Sequence, residues 1–456
     1  MWRAPSHLTQ FVLRPDLSCV QRCVHALATT GRGGRPQLVL GHANTHAVNT
    51  PSTLASQDWW LGGSQAWDRG SAMVSRVERT PFARWWWTVD RLMLAALFTL
   101  MLGGLVLSLA ASPPVAARLG LEPFYFVNRH VLYLVPTIAV LLVTSFLPLR
   151  HIRRIALVVF VASLVLMALT LVYGMEVKGA RRWLVILGVN IQPSEFLKPA
   201  FVILIAWLFG ESARRPEMPA NTIALGLLLA SVVALVLQPD FGQTMLVALV
   251  WCILFFLAGM RMVWVAGLGG AAAVGLSLAY VTIPHVARRI KRFLDPASGD
   301  TFNVDQALES FLRGGWFGRG PGEGTVKRLL PESHADFVFA VAAEEFGIVL
   351  CLVLVALFAF IVLRALSHAM RNQDPFRRFG TAGLAILFGL QSAINMAVNV
   401  HLMPAKGMTL PFISYGGSSM ISLAWGMGML LALTRERPQT ESLSHQALLA
   451  PARGAA

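Results

Sequence analysis

Long apolar runs, separated by short polar and basic stretches, are the main feature of the chain. Runs of about 18 to 24 residues are long enough to cross a roughly 30 Å hydrocarbon core as helices. The runs lie roughly at 91–112, 127–147, 154–174, 194–210, 220–238, 241–258, 262–283, 338–366, 377–400 and 414–434. The pattern therefore predicts an all-α, polytopic membrane protein with about ten transmembrane helices and one long outer loop, 284–337, between the seventh and eighth.

The composition agrees with this pattern and excludes a soluble globular protein. The 456 residues are 55% hydrophobic and only 13% charged, about half the charge of an average soluble domain. Four cysteines are too few and too scattered for a disulfide framework. The formal charge of +15 would suggest nucleic acid in a soluble protein, but here the arginines flank apolar spans as membrane anchors do. We therefore expect no nucleic-acid partner.

The polar and basic segments predict the domain limits and the orientation. Residues 1–72 are polar and aperiodic, which predicts disorder. Met73 is an alternative start, because basic residues and the aromatic belt Trp85 to Trp87 follow it. This makes 73–90 a juxtamembrane segment, 91–434 the transmembrane domain and 435–456 a tail. An even number of spans puts both termini on one side, and the basic residues between spans predict that this side is cytoplasmic.

Three outer segments carry cations that the positive-inside bias does not explain. These are the loop between spans 3 and 4, with Lys178, Arg181 and Arg182, the loop 284–337, and the loop before the last span, with Lys406. Contact with lipid phosphates is the simplest interpretation of any one of them. Three loops that converge on one outer cavity would instead form an anion site.

Span 4 opens with the run Gln192-Pro193-Ser194-Glu195-Phe196-Leu197-Lys198. Glu195 and Lys198 are three residues apart and share one helix face. Ionisable groups this close to hydrocarbon are costly, so they should point into the bundle, form a pair and mark a functional site. The alternative is a helix-end ion pair that only orients the span.

The segment before span 8 places Glu332, His334 and Asp336 close together at the outer end. Burial should raise the pKa of Asp336 and nearby cations should lower it, and a balance of the two suits a general base near neutral pH. The alternative is a helix N-cap. Upstream, the glycine-rich stretch 314–324 permits close backbone approach and anion-binding turns, although such stretches are also common in plain loops.

The run 404–419 interrupts the backbone at membrane depth before the last span. It contains Lys406, two prolines, Ser414 and Tyr415. Irregular backbone is tolerated in a membrane only where it lines a cavity or is buried in protein. This run therefore predicts a site rather than a simple turn.

These motifs resemble the hallmark segments of the SEDS family (shape, elongation, division and sporulation), which comprises bacterial polymerases of peptidoglycan. The resemblance covers 82–436 and rests on KGARRW at 178–183, QPSE-x-x-K at 192–198, LPE-x-H-x-DF at 330–337 and KGMTLPFISYGGSS at 406–419. The last motif resembles the division-type branch, and the WWWTVDR start is similar to division-type proteins of alphaproteobacteria. Ala335 stands where the family commonly has Thr.

The resemblance implies glycosyltransfer from lipid II, an undecaprenyl-pyrophosphoryl disaccharide pentapeptide, into β-1,4 glycan during septal wall synthesis. It implies Asp336 as the catalytic base. The pyrophosphate ligands would come from Lys178, Arg181, Arg182, Lys198 and Lys406, and further substrate contacts from Gln192, Glu195, Glu332, His334, Ser414 and Tyr415. Since pyrophosphate departs without a proton, one base with a cationic clamp suffices. A divalent cation such as Mg²⁺ or Mn²⁺ could share the clamp, but no ligand set demands one.

The resemblance also implies partners and a location. The partners are the lipid-linked nascent glycan, a class B penicillin-binding transpeptidase and division-complex regulators. The location is the bacterial inner membrane, at the septum, with the site facing the periplasm. Two other functions remain open: a transporter that flips lipid II and a catalytically silent scaffold. A transporter should show repeat-related halves and polar groups near the midplane, whereas here the ionisable groups cluster at the outer face.

Overall fold

The computed structural model describes residues 80–177, 180–186, 188–212, 214–215, 217–282, 287, 291, 302–330, 333–404 and 407–435. The predictions of disorder in 1–72 and of a tail in 435–456 lie outside these residues, except for position 435, and stay predictions. The loop cations at positions 288, 289 and 292 also lie outside the described part of the chain.

Within the described residues, ten apolar helices match the ten predicted spans. After the short helix α1 (Pro81–Thr88) they are α2 (Arg91–Arg118), α3 (Tyr125–Phe146), α4 (Leu149–Tyr173), α5 (Pro193–Ser212), α6 (Ala220–Leu237), α7 (Phe241–Leu257), α8 (Met262–Thr282), α10 (Val338–Arg371), α11 (Pro375–Asn399) and α12 (Gly417–Thr434). In the described residues, nine are long and apolar enough to cross a membrane, and α7 is a shorter apolar helix. The predicted polytopic, all-α fold is confirmed.

The helices pack around a core formed by α5 and α12, which are buried along almost their whole length. Side chains such as Phe201, Ile203 and Leu430 are removed from the surface. By contrast α3, α4, α6 and α10 expose apolar side chains outward, as helices that face lipid do. We call the end of the bundle where α2 ends and α10 begins the outer end.

Helix bounds differ from prediction at both ends of the bundle. At the inner end, α4 begins at Leu149 rather than 154 and α10 ends at Arg371 rather than 366. The first span was predicted to stop at 112, but α2 continues through Pro113 and Pro114 to Arg118. The last span was predicted from 414, but α12 begins at Gly417, so Ser414 and Tyr415 lie in irregular backbone. A small antiparallel sheet of β1 (Met175–Val177), β2 (Ala180–Ile186) and β3 (Val189–Ile191) occupies the loop between α4 and α5.

The outer loop 284–337 is not irregular throughout, because it contains the helix α9 (Phe302–Gly314) and a 3₁₀ turn (Val326–Arg328). Helix α9 packs on α10. The carboxylate of Glu344 on α10 accepts hydrogen bonds from the amides of Thr325 (2.6 Å), Val326 (2.7 Å) and Lys327 (2.9 Å). The Lys327 ammonium forms a buried ion pair with Glu345. Both glutamates thus face the interior and hold the loop.

At the inner end Asp90 links α2 to α10. Its carboxylate caps α2 by accepting from the amides of Leu92 and Met93, both at 3.1 Å, and pairs with Arg364 Nε (2.6 Å) and His368 Nε2 (2.7 Å). Burial acts to raise the pKa of Asp90, but the hydrogen bonds from His368, Arg364 and the backbone outweigh it and hold the pKa well below its usual range. Asp90 is therefore a structural anion at neutral pH.

Candidate functional site

Asp336 lies in the turn that leads into α10, with its main chain held from α11. Its carbonyl oxygen accepts hydrogen bonds from Asn395 Nδ2 (3.1 Å) and Asn399 Nδ2 (3.0 Å). Both asparagines are buried near the outer end of α11. Asn399 Oδ1 also accepts from the amide of Ala340, 3.2 Å away, in the first turn of α10. Two amide side chains therefore fix the backbone of the predicted base.

The segment 407–416 lies directly against the Asp336 turn. Ser414 Oγ donates to the carbonyl of Ala335 (2.6 Å), and the amide of Tyr415 donates to the carbonyl of His334 (3.0 Å). Asn395 Nδ2, which binds Asp336, also donates to the carbonyl of Met408 at 2.6 Å. Two sequence motifs that are about 75 positions apart are thus joined into one unit.

The Asp336 carboxylate faces the backbone of Gly407. A β-carbon at this glycine would lie 3.7 Å from Asp336 Oδ2, and its φ of +66° favours glycine. The same segment contains Phe412, which is fully buried with a φ of +62°. A bulky residue in the left-handed region is a strained conformation of a kind that clusters at functional sites. Gly104 on α2 permits it, because a β-carbon there would lie 2.2 Å from the Phe412 carbonyl oxygen.

His334 and Tyr415 pack in an aromatic cluster beside this unit. The Phe126 ring of α3 lies 4.5 Å from His334 and 5.5 Å from Tyr415, measured between centroids. Arg129 hydrogen-bonds the Tyr415 side chain, and its guanidinium lies 5.1 Å from the Tyr125 ring. The outer end of α3 therefore forms one wall of the site and carries a cation that sequence reasoning missed.

A buried polar network lies deeper, below the segment 407–416. Lys198 Nζ is 3.0 Å from each carboxylate oxygen of Glu195 and 3.1 Å from Gln391 Oε1. Gln243 Nε2 donates to Glu195 Oε1 (2.9 Å), and Gln391 Nε2 donates to the carbonyl of Thr409 (3.3 Å). The predicted inward-facing pair thus exists inside the bundle and connects α5, α7 and α11 to the irregular segment. Its predicted roles as substrate contacts stay predictions.

The predicted clamp residues of β2 have protein partners. Arg182 donates to the carbonyls of Gln238 (3.0 Å) and Pro239 and lies 3.6 Å from Asp240 Oδ2. Burial raises the pKa of Asp240, and the Arg182 charge partly opposes this rise. Arg181 pairs with Glu176 at 3.6 Å, with both side chains at least half exposed. The Arg182 side chain is thus bound to the α6–α7 turn. Both residues stay candidates for the clamp.

Gln192 lies where β3 leads into α5. Its side-chain amide donates to Ser194 Oγ (3.2 Å), and its main-chain amide donates to Ser418 Oγ (3.4 Å) in the first turn of α12. The hydroxyls of Thr409 and Ser419 lie 2.9 Å apart and join the segment 407–416 to the first turn of α12. The start of α5 and the start of α12 are therefore held together beside the segment 407–416.

Three predicted site residues, Lys178, Glu332 and Lys406, lie outside the described residues. Within the described part of the chain, no group of three or more His, Cys, Asp or Glu could hold a metal ion. The Mg²⁺ or Mn²⁺ ion stays a prediction.

Comparison with known families decides the relationship. The family model FTSW_RODA_SPOVE, described as "Cell cycle protein", matches residues 90–439. The chain belongs to this family, the SEDS family. The match includes every element from α2 to α12 and both halves of the site, so the resemblance seen in the motifs is confirmed over the whole transmembrane domain.

Similar SEDS proteins cover most of the chain. A probable peptidoglycan glycosyltransferase FtsW of Caulobacter vibrioides is 44% identical over 365 residues, covering 80% of this chain and 94% of that protein. One from Trichlorobacter lovleyi is 36% identical, covering 76% and 93%. Among solved structures, a chain of a peptidoglycan synthase complex is 27% identical with a TM-score of 0.64, and RodA of Thermus thermophilus is 26% identical with a TM-score of 0.57. Each covers 76% of this chain and 97% of its own.

The amide residues were the main omission of the sequence analysis. Gln391, Asn395 and Asn399 are spaced four residues apart, so they share one face of α11. Polar side chains repeating at helical spacing inside an apolar span are costly unless they are bound. That spacing was the available signal, and it identifies the face of α11 that meets the site.

Proposed function

We propose that this protein is a peptidoglycan glycosyltransferase that polymerises lipid II into β-1,4 glycan strands for septal wall synthesis in cell division. Its FtsW relatives carry the name of probable peptidoglycan glycosyltransferase. The observation that carries the proposal is the junction of the Asp336 turn with the segment 407–416. It holds one carboxylate at the outer end of a membrane bundle, where a lipid-linked sugar can reach it from the bilayer.

In this mechanism Asp336 is the general base. It accepts the proton of the acceptor 4-hydroxyl as that oxygen forms a bond to the anomeric carbon of the lipid-linked donor. The bond between this carbon and the pyrophosphate oxygen breaks, and the lipid pyrophosphate leaves with the electron pair. Attack opposite the leaving group inverts the anomeric centre and gives the β link. Four hydrogen bonds to the backbone of the turn hold Asp336 in place. A base held in a fixed orientation towards the acceptor hydroxyl raises the rate.

The cationic clamp would stabilise the departing pyrophosphate. Lys406 directly precedes Gly407, which faces the Asp336 carboxylate, so we assign it the first place in the clamp. Arg181 and Arg182 of β2, together with Lys178, would complete it. His334, Glu332, Gln192, Ser414 and Tyr415 would contact sugar or phosphate. Lys198 is bound by Glu195 and Gln391. Because Gln391 also donates to the carbonyl of Thr409, Lys198 would position the segment 407–416 through Gln391.

The setting of the reaction follows from the same proposal. The chain is a multi-pass membrane protein. We propose that it lies in the bacterial inner membrane with both termini in the cytoplasm, its site facing the periplasm, and enrichment at the septum. A similar solved chain belongs to a peptidoglycan synthase complex described as coordinating polymerization and crosslinking. This supports a class B penicillin-binding transpeptidase as partner, together with division regulators and the nascent glycan.

The test is polymerisation of purified lipid II by the protein with its transpeptidase partner. Asp336→Asn keeps the size of the side chain and the backbone hydrogen bonds but removes the base, and Asp336→Ala removes the whole head group. Glu323→Gln is the matched control, because it makes the same carboxylate-to-amide change on an exposed residue of the same loop. Thermal unfolding and partner co-purification show whether each variant is folded.

We expect glycan strands from the wild type and the control, and a loss of about 10²–10⁴-fold in both Asp336 variants at unchanged thermal stability. Polymerisation that survives in folded Asp336→Asn would reject Asp336 as the base. A wild-type complex that makes no glycan while moving lipid II between leaflets would reject the polymerase in favour of the transporter.

A further inference from the structure

The turn that follows α9 exposes two aromatic side chains to the surroundings. Trp316 is 64% exposed and Phe317 is 85% exposed. Leu308 and Leu312 lie four residues apart on one face of α9 and are 42% and 77% exposed. With Trp316 and Phe317, which follow the end of the helix at Gly314, they give a run of four exposed apolar side chains, which we call the stripe. The opposite face of α9, with Ala307, is buried. The helix and its turn are thus amphipathic, with a large apolar face left uncovered.

The backbone of this turn is fixed to α10 at one level. Helix α10 is broken at Gly347, whose φ is +83°. The amides of Ile348 and Val349, freed by the break, donate to the carbonyls of Gly315 (3.0 Å) and Trp316 (3.2 Å). In return, the carbonyls of Glu344 and Glu345 accept from the amides of Arg319 and Gly320, both at 3.0 Å. The turn therefore replaces one turn of helix hydrogen bonds and cannot shift along α10.

The charge pattern of α10 puts the outer border of the hydrocarbon at the level where the turn is bound, near residues 344–349. Residues 346–363 of α10 contain no Asp, Glu, Lys or Arg, and an 18-residue window of this helix has a mean hydropathy of 3.3. At about 1.5 Å per residue such a stretch is about 27 Å long, close to the roughly 30 Å of a bilayer core. Glu345 marks its outer end and Arg364 its inner end. The hydrogen bonds from residues 348 and 349 hold Trp316 and Phe317 within one helical turn of that outer border.

The surroundings of the turn match a lipid surface. The exposed apolar side chains of α10 continue from the same level into the membrane, with Val349 at 42%, Leu352 at 56% and Val353 at 55% exposure. Arg313 at the end of α9 and Arg319 of the turn are exposed and lie together, since Arg319 Nε donates to the carbonyl of Arg313 at 3.2 Å. Arg313 also pairs with Glu309, whereas Arg319 leaves a net positive charge at the turn. Aromatic rings beside arginines are typical of the headgroup boundary, where the rings enter the apolar layer and the cations meet phosphate.

We propose that α9 and its turn are a membrane-docking element: the stripe of Leu308, Leu312, Trp316 and Phe317 inserts into the outer leaflet, with phospholipid as its partner. This inference does not depend on the glycosyltransfer reaction. It concerns the loop that leads to the site, however. Just before the Asp336 turn, the carbonyls of Leu329 and Leu330 accept hydrogen bonds from Arg118 of α2. Docking would set the height of the loop, and hence of Asp336, relative to the headgroups in which a lipid-linked substrate sits.

The test measures the depth of single residues in a bilayer by spin labelling. Cys19, Cys23, Cys252 and Cys351 are replaced by alanine, and folding and partner binding of this background are checked first. A spin label is then placed at Phe317→Cys in the full-length protein, in nanodiscs of phosphatidylethanolamine and phosphatidylglycerol. Leu352→Cys is the lipid-facing reference and Glu323→Cys is the aqueous reference on the same loop. Collision with oxygen reports the apolar layer, and collision with a water-soluble nickel chelate reports water.

We expect the ratio of oxygen to nickel collision at position 317 to approach that at 352 and to exceed that at 323 by about tenfold, as for a face buried about 5–10 Å into the boundary. A ratio at 317 equal to that at 323 overturns the proposal, because the turn would then lie in water. Protection of 317 from both reagents also overturns it, because protein and not lipid would then cover the stripe.

Discussion

The side chain of Asn395 offers the sharpest test of how the site is held. Its amide nitrogen has two hydrogens, and both are used, one on the carbonyl of Asp336 (3.1 Å) and one on that of Met408 (2.6 Å). Asn395 thus connects the turn that carries the base to the segment that faces it. It is a positioning residue, and its loss should act on the rate through Asp336.

The magnitude follows from the two carbonyls. After Asn395→Ala, Asp336 keeps the hydrogen bond from Asn399, while the buried carbonyl of Met408 loses the Asn395 donor. A buried group without its partner costs about 1–3 kcal/mol. If that cost falls on the transition state, it corresponds to a rate reduced by roughly 5- to 150-fold, since each 1.4 kcal/mol is about tenfold. Asn395→Asp is nearly the same size but has no N–H, and it sets an anion against two carbonyl oxygens. It should therefore be slower than Asn395→Ala.

The assay is the rate of lipid II polymerisation at saturating substrate, with thermal unfolding of the same samples. Asn221→Ala is the matched control, because its amide nitrogen lies 3.9 Å from the sulfur of Met260 at the inner end of the bundle. We expect Asn221→Ala to behave as wild type. An Asn395→Asp variant that is as active and as stable as the wild type would refute the reasoning, since its size is retained and only the donors are lost.

Two further predictions concern the anchors of the bundle. A β-carbon at Gly318 (φ +79°) would lie 2.1 Å from the Glu345 carbonyl oxygen, whereas Gly120 (φ +66°) has open space around it. Gly318→Ala should therefore lower the Tm by several degrees more than Gly120→Ala. Equal Tm shifts in differential scanning fluorimetry would contradict the close contact. Because the pKa of Asp90 is lowered, its pairing with Arg364 stabilises the fold above pH 3.8, the ordinary carboxyl pKa, and this stabilisation is lost as the pH falls through the pKa of the folded state. Asp90→Asn should therefore lower the free energy of unfolding by on the order of 1–3 kcal/mol at pH 7. The difference in Tm between wild type and variant should narrow below pH 3.8, and a pH-independent difference would rule this linkage out.

The sequence by itself determined the spans and the site segments. Apolar length is a local property, so ten runs sufficed to predict ten helices within a few residues at most ends. The cost of a charge or a broken backbone near hydrocarbon is also local, which is why Glu195, Lys198, Asp336 and the run 404–419 could be selected without a fold. The inward pairing of Glu195 with Lys198 followed from helical spacing together with the cost of an ionised group near hydrocarbon.

Only the tertiary structure decided which groups meet. The bond from Asn395 to Asp336 spans 59 positions and that from Lys198 to Gln391 spans 193, and no hydropathy pattern encodes such partners. The same holds for Arg182, whose partners lie on the α6–α7 turn. It also holds for the glycine-rich stretch, whose backbone forms hydrogen bonds with α10 where that helix is broken at Gly347. The physical reason is that insertion of each span depends on its own composition, whereas a buried polar group takes the partner that helix packing brings within about 3 Å.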